Sequence, residues 1–189
     1  VEKILRPPGR PVVVHFTNGL QREFDEVVIA THSDEALGVL GDPTDSETSV
    51  LGALPYRDNE VILHTDTRLL PKTQRAWSSW NYRLKQGNGR ATVTYNMNIL
   101  QGLDAPETFC VTLNDTASIN PHRILGRFNY AHPQFTLAGI EAQQRWGDIN
   151  GRNGTWFCGA YWQNGFHEDG LCSGLRVAES LCMAAQMAA

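Results

Sequence analysis

The segment WFCGAYWQNGFHEDGLCSGLRVAESL, Trp156 to Leu181, sets an aromatic cluster ahead of His167-Glu168-Asp169, then a glycine, then a smooth helical pattern. TWFCGAYW reads as a strand that ends in a small-residue turn, and the spacing predicts a helix from near Gly170. The first N–H groups of such a helix have no intrahelical partner, and its dipole places partial positive charge there. That end suits an oxyanion, a phosphate, or a carbonyl that gains electron density. Gly170 and Gly174 carry no side chain, so a flat ligand or another backbone can come close. Glu168 and Asp169 complement the dipole. The same residues would equally serve capping and helix–strand packing, and both readings stand on the sequence alone.

Other chemistries find less support. His167, Glu168 and Asp169 are adjacent, and adjacent side chains rarely point at one ion. No HxH, HExxH or CxxC pattern supplies a second cluster, so no metal site is expected. CSG lacks the GxSxG of a nucleophile elbow and lies inside the predicted helix. No GxGxxG follows a strand, so no phosphate-cradling loop is present. Trp80, Tyr161 and Trp162 are candidate walls of a substrate pocket, although aromatics on strands more often fill a core. Trp77, Ser79 and Asn81 would share one strand face, with Ser78, Trp80 and Tyr82 on the other. His64, His122 and His132 are scattered and read as surface or capping residues.

These residues need elements to hold them. Val12 to Phe16 reads as a strand, and Asn18-Gly19 is the preferred pair for a tight hairpin turn. FDEVVIAT reads as a buried strand, central in a sheet with both faces covered. HSDEALGVL reads as a helix with Ser33 or Asp34 as cap and with Ala36, Leu37 and Leu40 on one face. GDPTDSE leads to a short helix. NEVILHTD, AWSSWNYRL, RATVTYNMNIL and TFCVTLN read as strands, the middle two joined by KQGNG with its Asn88-Gly89 turn pair. RILGRFNYAHPQFT is extended and should stop or turn at Pro133. LAGIEAQQRWGDI has helical spacing at Leu137, Ile140, Ala142 and Trp146. The last helix carries Leu171, Leu175, Ala178 and Leu181 on one stripe.

The middle, about residues 55 to 130, is thus a run of antiparallel-looking strands between two strand-then-helix ends. The expected class is α/β (α+β): a split domain that leaves one layer, builds a second sheet and returns. The expected parts are residues 1–50, a β-rich 51–140, and 141–189. In 189 residues, 20 acidic side chains exceed 16 basic ones. Binding to nucleic acid or an anionic membrane therefore has no electrostatic support. No apolar stretch approaches the roughly 20 residues that span a bilayer. Cys110, Cys158, Cys172 and Cys182 form no CxxC pair and read as reduced, mostly buried thiols, which suits a cytoplasmic protein. The chain opens on Val1 in strand-like sequence, which suggests a fragment or a processed product.

Several stretches carry a resemblance. FCGAYW followed by EDGLCSGLRVAESL resembles the closing strand and helix of the flavin-containing amine oxidase superfamily. FDEVVIATHSDEAL resembles its strand that closes the middle part of the FAD domain, and VEKILRPPGRPVVVHFTNG the hairpin before it. LHTDTRLLP, AWSSWNY, VTYNMNILQ and FCVTLN are similar to bacterial predicted NAD/FAD-binding, amine-oxidase-like oxidoreductases, so the likeness runs over nearly the whole chain.

The resemblance implies the C-terminal part of a split, Rossmann-like FAD-binding domain with an inserted antiparallel or mixed-sheet substrate domain. It implies FAD as cofactor, with Val1 near the adenine, Gly159 and Ala160 beside the ribityl–phosphate region, and His167, Glu168, Asp169 and Gly170 beside the flavin ring. It implies hydride transfer from a small, hydrophobic organic substrate, and no catalytic acid or base is assigned. Two departures are plain. The family's Gly-Ala at the helix start is Asp169-Gly170 here, and the N-terminal GxGxxG half is missing. The expected partner is that missing Rossmann half, or another chain that covers its interface. The alternative is a non-catalytic truncated homologue that binds a ligand or a subunit.

Overall fold

The computed structural model describes residues 1–84 and 92–188, so the Asn88-Gly89 turn lies outside the described residues. The chain divides into two compact units. One joins Val1–Arg57 to His132–Ala189, and the other is Asp58–Ala131.

In the first unit, β1 (Lys3–Leu5), β2 (Val12–His15) and β3 (Gln21–Phe24) form an antiparallel sheet. The β2–β3 turn falls at Asn18-Gly19 as the sequence predicts, and Gly19 takes φ +80°, which a side chain would oppose. β4 (Val27–Ile29) is short and, among the described residues, pairs with a single later strand. Its expected two-sided burial is not found among the described residues: Ile29 is buried, but Val28 is 44% exposed.

α1 (Ser33–Val39) follows, with His32 at the cap position instead of Ser33 or Asp34. Glu35 Oε2 accepts the His32 N–H at 3.2 Å, and the Ser33 hydroxyl donates to the Leu54 carbonyl at 2.6 Å. α2 (Asp45–Gly52) starts with a reciprocal cap. Thr44 Oγ1 accepts the Glu47 N–H at 3.2 Å, and Glu47 Oε2 accepts the Thr44 N–H at 2.8 Å. Glu47 also holds Arg6, which reaches across from β1. Arg6 Nη2 donates to Glu47 Oε2 at 2.9 Å, Nη1 donates to Oε1, and Nε donates to Asp42 Oδ1 at 2.9 Å. Both Arg6 and Glu47 are buried, so this ion pair fastens the first sheet to α2.

The second unit holds most of a five-stranded sheet in the order β6-β7-β8-β5-β9. Its strands are β5 (Tyr56–His64), β6 (Trp80–Arg83), β7 (Thr92–Asn96), β8 (Cys110–Leu113) and β9 (Ile124–Pro133). β9 ends at Pro133, where the missing N–H ends a ladder. Two strand readings are shortened. Gln74–Ala76 is a 3-10 turn that leaves Trp77 outside β6, so Trp77 shares no strand face with Asn81. RATVTYNMNIL leaves the sheet after Asn96, whose side chain accepts the Ile99 N–H and starts α3 (Met97–Gln101).

His64 is fully buried, against the expectation of a surface or capping residue. Its Nδ1 accepts the Asp66 N–H at 3.0 Å, which leaves Nε2 as the donor to Thr112 Oγ1 at 2.7 Å. Thr112 in turn bonds Thr94 Oγ1 at 2.8 Å. Burial lowers the His64 pKa below 6.5, and the Asp66 charge opposes this only in part. Asp66 is held far below 3.8, chiefly by its side-chain bond to Arg68. Both shifts favour the form present at neutral pH, so the unfolded chain takes up protons first on acidification.

Stability is therefore expected to fall as pH drops below about 6.5 through His64, and again below about 4 through Asp66, by at most about 1.4 kcal/mol per proton per pH unit. Denaturant titration across pH 8 to 3 checks this. A His64→Gln variant should lose the first fall and keep the second.

The chain then returns to the first unit. The predicted single helix is two: α4 (Leu137–Gln143) and α5 (Trp146–Ile149). Gln144 caps the first and Arg145 precedes the second, and the break turns Trp146 and Ile149 into the core while Leu137 stays 83% exposed. β10 (Thr155–Phe157) pairs parallel with β4. α6 (His167–Ala188) closes the chain. The core of this unit gathers Ile4, Val14, Leu51, Phe157, Tyr161 and Val177 among others. Cys110 and Cys158 are buried, but Cys172 and Cys182 are exposed on α6, so only half of the thiols are interior. Among the described residues, no helix is long and apolar enough to cross a membrane.

Candidate site at the start of the last helix

β10 ends at Phe157, five residues short of the strand that TWFCGAYW suggests through Trp162. Ala160–Trp162 then forms a 3-10 turn. The turn is tied at several points. The Gly159 N–H donates to Ser173 Oγ at 3.1 Å, and the Ala160 carbonyl accepts the N–H groups of both Gln163 and Gly165 at 3.1 Å. Gln143 Nε2 donates to the Tyr161 carbonyl at 2.8 Å and to the Gln163 carbonyl at 2.7 Å.

Gly159 is needed for space. A Cβ there would stand 2.5 Å from Tyr161 Cε1, inside the ring's contact distance. At Gly170 a Cβ would stand 3.8 Å from the Ala160 nitrogen, so the helix start and the 3-10 turn lie side by side.

α6 begins at His167, three residues before the predicted start at Gly170. The loop explains the shift. Asp169 is buried and turns its carboxylate back, so that Oδ2 accepts the Phe166 N–H at 2.9 Å and the Asn164 N–H at 3.2 Å. This is the acidic half of a capping box, with Phe166 at the cap position. The carboxylate's charge is thus engaged on the loop side. Meanwhile the N–H groups of His167, Glu168 and Asp169 have no partner among the described residues, and neither do those of Ala160 and Tyr161 in the adjacent turn. Two helical starts therefore present free donors next to one another, at the positive end of a 22-residue helix.

Of the stripe expected to be buried on α6, Leu171, Leu175 and Ala178 are exposed and only Leu181 packs against the core. Leu171 and Leu175 are 58% and 53% exposed, while Asp169, Ser173 and Val177 face inward. Two of these inward residues are polar, and each has a bond that compensates its burial: Asp169 to the loop and Ser173 to Gly159.

The other named residues are dispersed. Val1 is 61% exposed at the start of the chain. Tyr161 and Trp162 are buried in the first unit's core, with ring centroids 5.3 Å apart. Trp162 Nε1 donates to the Phe157 carbonyl, and burial pushes the Tyr161 phenol well above its ordinary pKa. Trp80 belongs to the second unit. It is 56% exposed on edge strand β6 and packs edge-on to Tyr95 at 5.4 Å.

The buried Arg6–Glu47 pair and the His64–Thr112–Thr94 chain went unread in the sequence, because each joins residues far apart with no local signature. The Thr44-x-x-Glu47 cap was the one signal that placed Glu47 at a helix start.

No family model and no curated protein sequence matches this chain. Solved structures do. The chain matches a CLA-producing fatty acid isomerase from P. acnes with TM-score 0.60 and 16% identity, over 89% of this chain and 44% of that one. It matches a putative protoporphyrinogen oxidase from Exiguobacterium sp. 255-15 with TM-score 0.62 and 12% identity, over 95% and 45%. It matches cyclohexylamine oxidase from Brevibacterium oxydans IH-35A with TM-score 0.62 and 12% identity, over 98% and 48%. The chain thus spans less than half the length of these proteins, and identities this low speak for the fold alone. All of them are members of the flavin amine oxidase superfamily, and this mixed α/β chain has the fold of part of that superfamily.

Proposed function

We propose that this chain is the C-terminal, flavin-facing part of an FAD-dependent oxidoreductase of the amine-oxidase or desaturase type. Its substrate would be a hydrophobic organic molecule that gives up a hydride. The observation that carries the reading is the pair of free N–H sets, at the 3-10 turn and at the start of α6, in a chain with this fold.

The residues fit the group. Backbone donors at a helix N-terminus match the electron-rich oxygen edge of a flavin ring, and they need no reorganisation to act. Asp169 would otherwise repel that edge, and its carboxylate is already bonded to Asn164 and Phe166. FAD, when bound, supplies the hydride acceptor. The chain's own part is to bind, orient and exclude water. Gly159 and Ala160 would stand by the ribityl–phosphate region, His167 to Gly170 by the ring, and Val1 by the adenine. Tyr161 and Trp162 would set the rigidity of the turn from behind. With its phenol pushed up by burial, Tyr161 stays protonated and moves no proton at ordinary pH. Trp80, exposed on edge strand β6, is kept as a candidate wall of a substrate pocket. The dinucleotide-gripping half would come from outside these 189 residues.

The test compares two glycines. A Cβ at Gly170 meets the 3-10 turn, while at Gly174 it meets open space. In the longest chain that the reading frame encodes, Gly170→Val is expected to weaken FAD retention by about tenfold or more, equivalent to about 1.4 kcal/mol. Gly174→Ala should leave retention unchanged. Equal retention by both would remove the flavin from this helix end.

A further inference from the structure

A second feature lies wholly within the Asp58–Ala131 unit. The segment Arg68–Lys72 and strand β6 enclose a cleft of about 500 Å³. Both walls are held by bonds internal to the unit. On one side Leu69 and Leu70 are buried, Asp66 Oδ1 accepts the Arg68 N–H, and Trp77 Nε1 donates to the Pro71 carbonyl at 2.8 Å. On the other, β6 pairs with β7, and Asn81 Nδ2 donates to the Ser78 and Thr94 carbonyls. A cleft with fixed walls loses little freedom when a ligand enters.

Three cations line this cleft in a chain whose net charge is −4. Arg68 commits Nε and Nη2 to Asp66, and Arg83 commits Nη2 to Asp115. The remaining guanidinium edge of each, and the whole Lys72 ammonium, have no partner among the described residues. Two of the three cations are thus each paired with a carboxylate, and Lys72 is not. Alongside it lie the Pro71 ring and the Tyr82 ring, the latter 61% exposed.

We propose that this cleft binds a monoanionic organic acid, with its carboxylate on Lys72 and the free edges of Arg68 and Arg83 and its hydrocarbon body along Pro71 and Tyr82. One unpaired ammonium beside two guanidinium groups already shared with carboxylates suits a carboxylate better than a phosphate dianion, and it repels an amine. Guanidinium edges suit the two oxygens of a carboxylate. The site does not depend on flavin, so its success or failure is read separately from the flavoenzyme reading.

Calorimetric titration of the 189-residue chain with decanoate, decyl phosphate and decan-1-ol, each below its micelle concentration, is the test. Decanoate is expected to bind, decan-1-ol about tenfold more weakly, and decyl phosphate no more tightly than decanoate. Lys72 is exposed and supports no described contact, so Lys72→Met should fold normally and lower decanoate affinity by about tenfold, with Lys72→Arg restoring it. Absence of decanoate binding, equal binding of the alcohol, tighter binding of the phosphate, or an unchanged Lys72→Met affinity would each overturn the proposal.

Discussion

Gly159→Val is expected to destabilise the protein by about 2–3 kcal/mol and to abolish FAD retention by the longest chain the reading frame encodes. The backbone at Gly159 takes φ +158°, which residues with a side chain rarely adopt, so valine is strained there whatever the space. A second obstacle is the Tyr161 ring, whose edge lies 2.5 Å from where the Cβ must go. Tyr161 is 1% exposed and has no room to retreat, because Trp162 lies against it and Gln143 holds its carbonyl. The turn must therefore move instead. That shifts Ala160, whose carbonyl fastens Gln163 and Gly165, and with it the free N–H groups beside α6. Thermal unfolding and flavin content measured on the same preparations check the two effects together. A stable variant that keeps its flavin would mean that the turn tolerates displacement and is not the rigid backing described above.

Glu47→Ala is expected to be costlier still, at about 3–5 kcal/mol, a large part of the total stability of an ordinary domain. The substitution leaves the Arg6 guanidinium buried with only Asp42, which is itself partly exposed, as its counter-charge. It also removes the acceptor for the Thr44 N–H, one half of the reciprocal cap of α2, while Thr44 Oγ1 still accepts the N–H of residue 47. The pair's worth is not the same as the cost of breaking it. Replacing both partners by apolar residues, Arg6→Met with Glu47→Leu, should cost far less than Glu47→Ala, because no charge is stranded. Denaturant unfolding of the single and double variants tests this. Equal losses would assign the effect to the cap and to packing, and not to the stranded charge.

The parts of the fold that were legible are those governed by local rules. Asn18-Gly19 forced the β2–β3 turn, Pro133 ended β9, and GDPTDSE led into α2. The arrangement that the resemblance implied, strands between two α/β ends, is a statement about order along the chain and is equally local. What failed was inference from hydropathy to facing. Leu171 and Leu175 form the apolar stripe of α6, yet Asp169 and Ser173 turn inward because a loop N–H and the Gly159 N–H wait for them. Val28 reads as buried, yet β4 has a single neighbour among the described residues. His64 reads as a surface residue, yet Thr112 and Asp66 satisfy both ring nitrogens inside the sheet. For Asp169, Ser173 and His64 a hydrogen-bond partner inside the fold outweighed the transfer preference of the side chain, and for Val28 the uncovered face of β4 decided. At the candidate site, the glycines and the presence of the helix could be read from sequence, but its start at His167 could not. The turn of Asp169 away from the free donors could not, since it depends on where the loop places Asn164 and Phe166.

The central claim is that the start of α6 and the turn before it meet a flavin. The most direct measurement is a visible absorption scan during gel filtration with added FAD. It should be run on the 189-residue chain and, beside it, on the longest chain that the reading frame encodes. The account predicts that the two-banded spectrum of oxidised flavin co-elutes with the longer chain, while the 189-residue chain, which has no GxGxxG loop for the pyrophosphate, retains little or none. A longer chain that includes such a loop and still elutes without flavin would contradict the account.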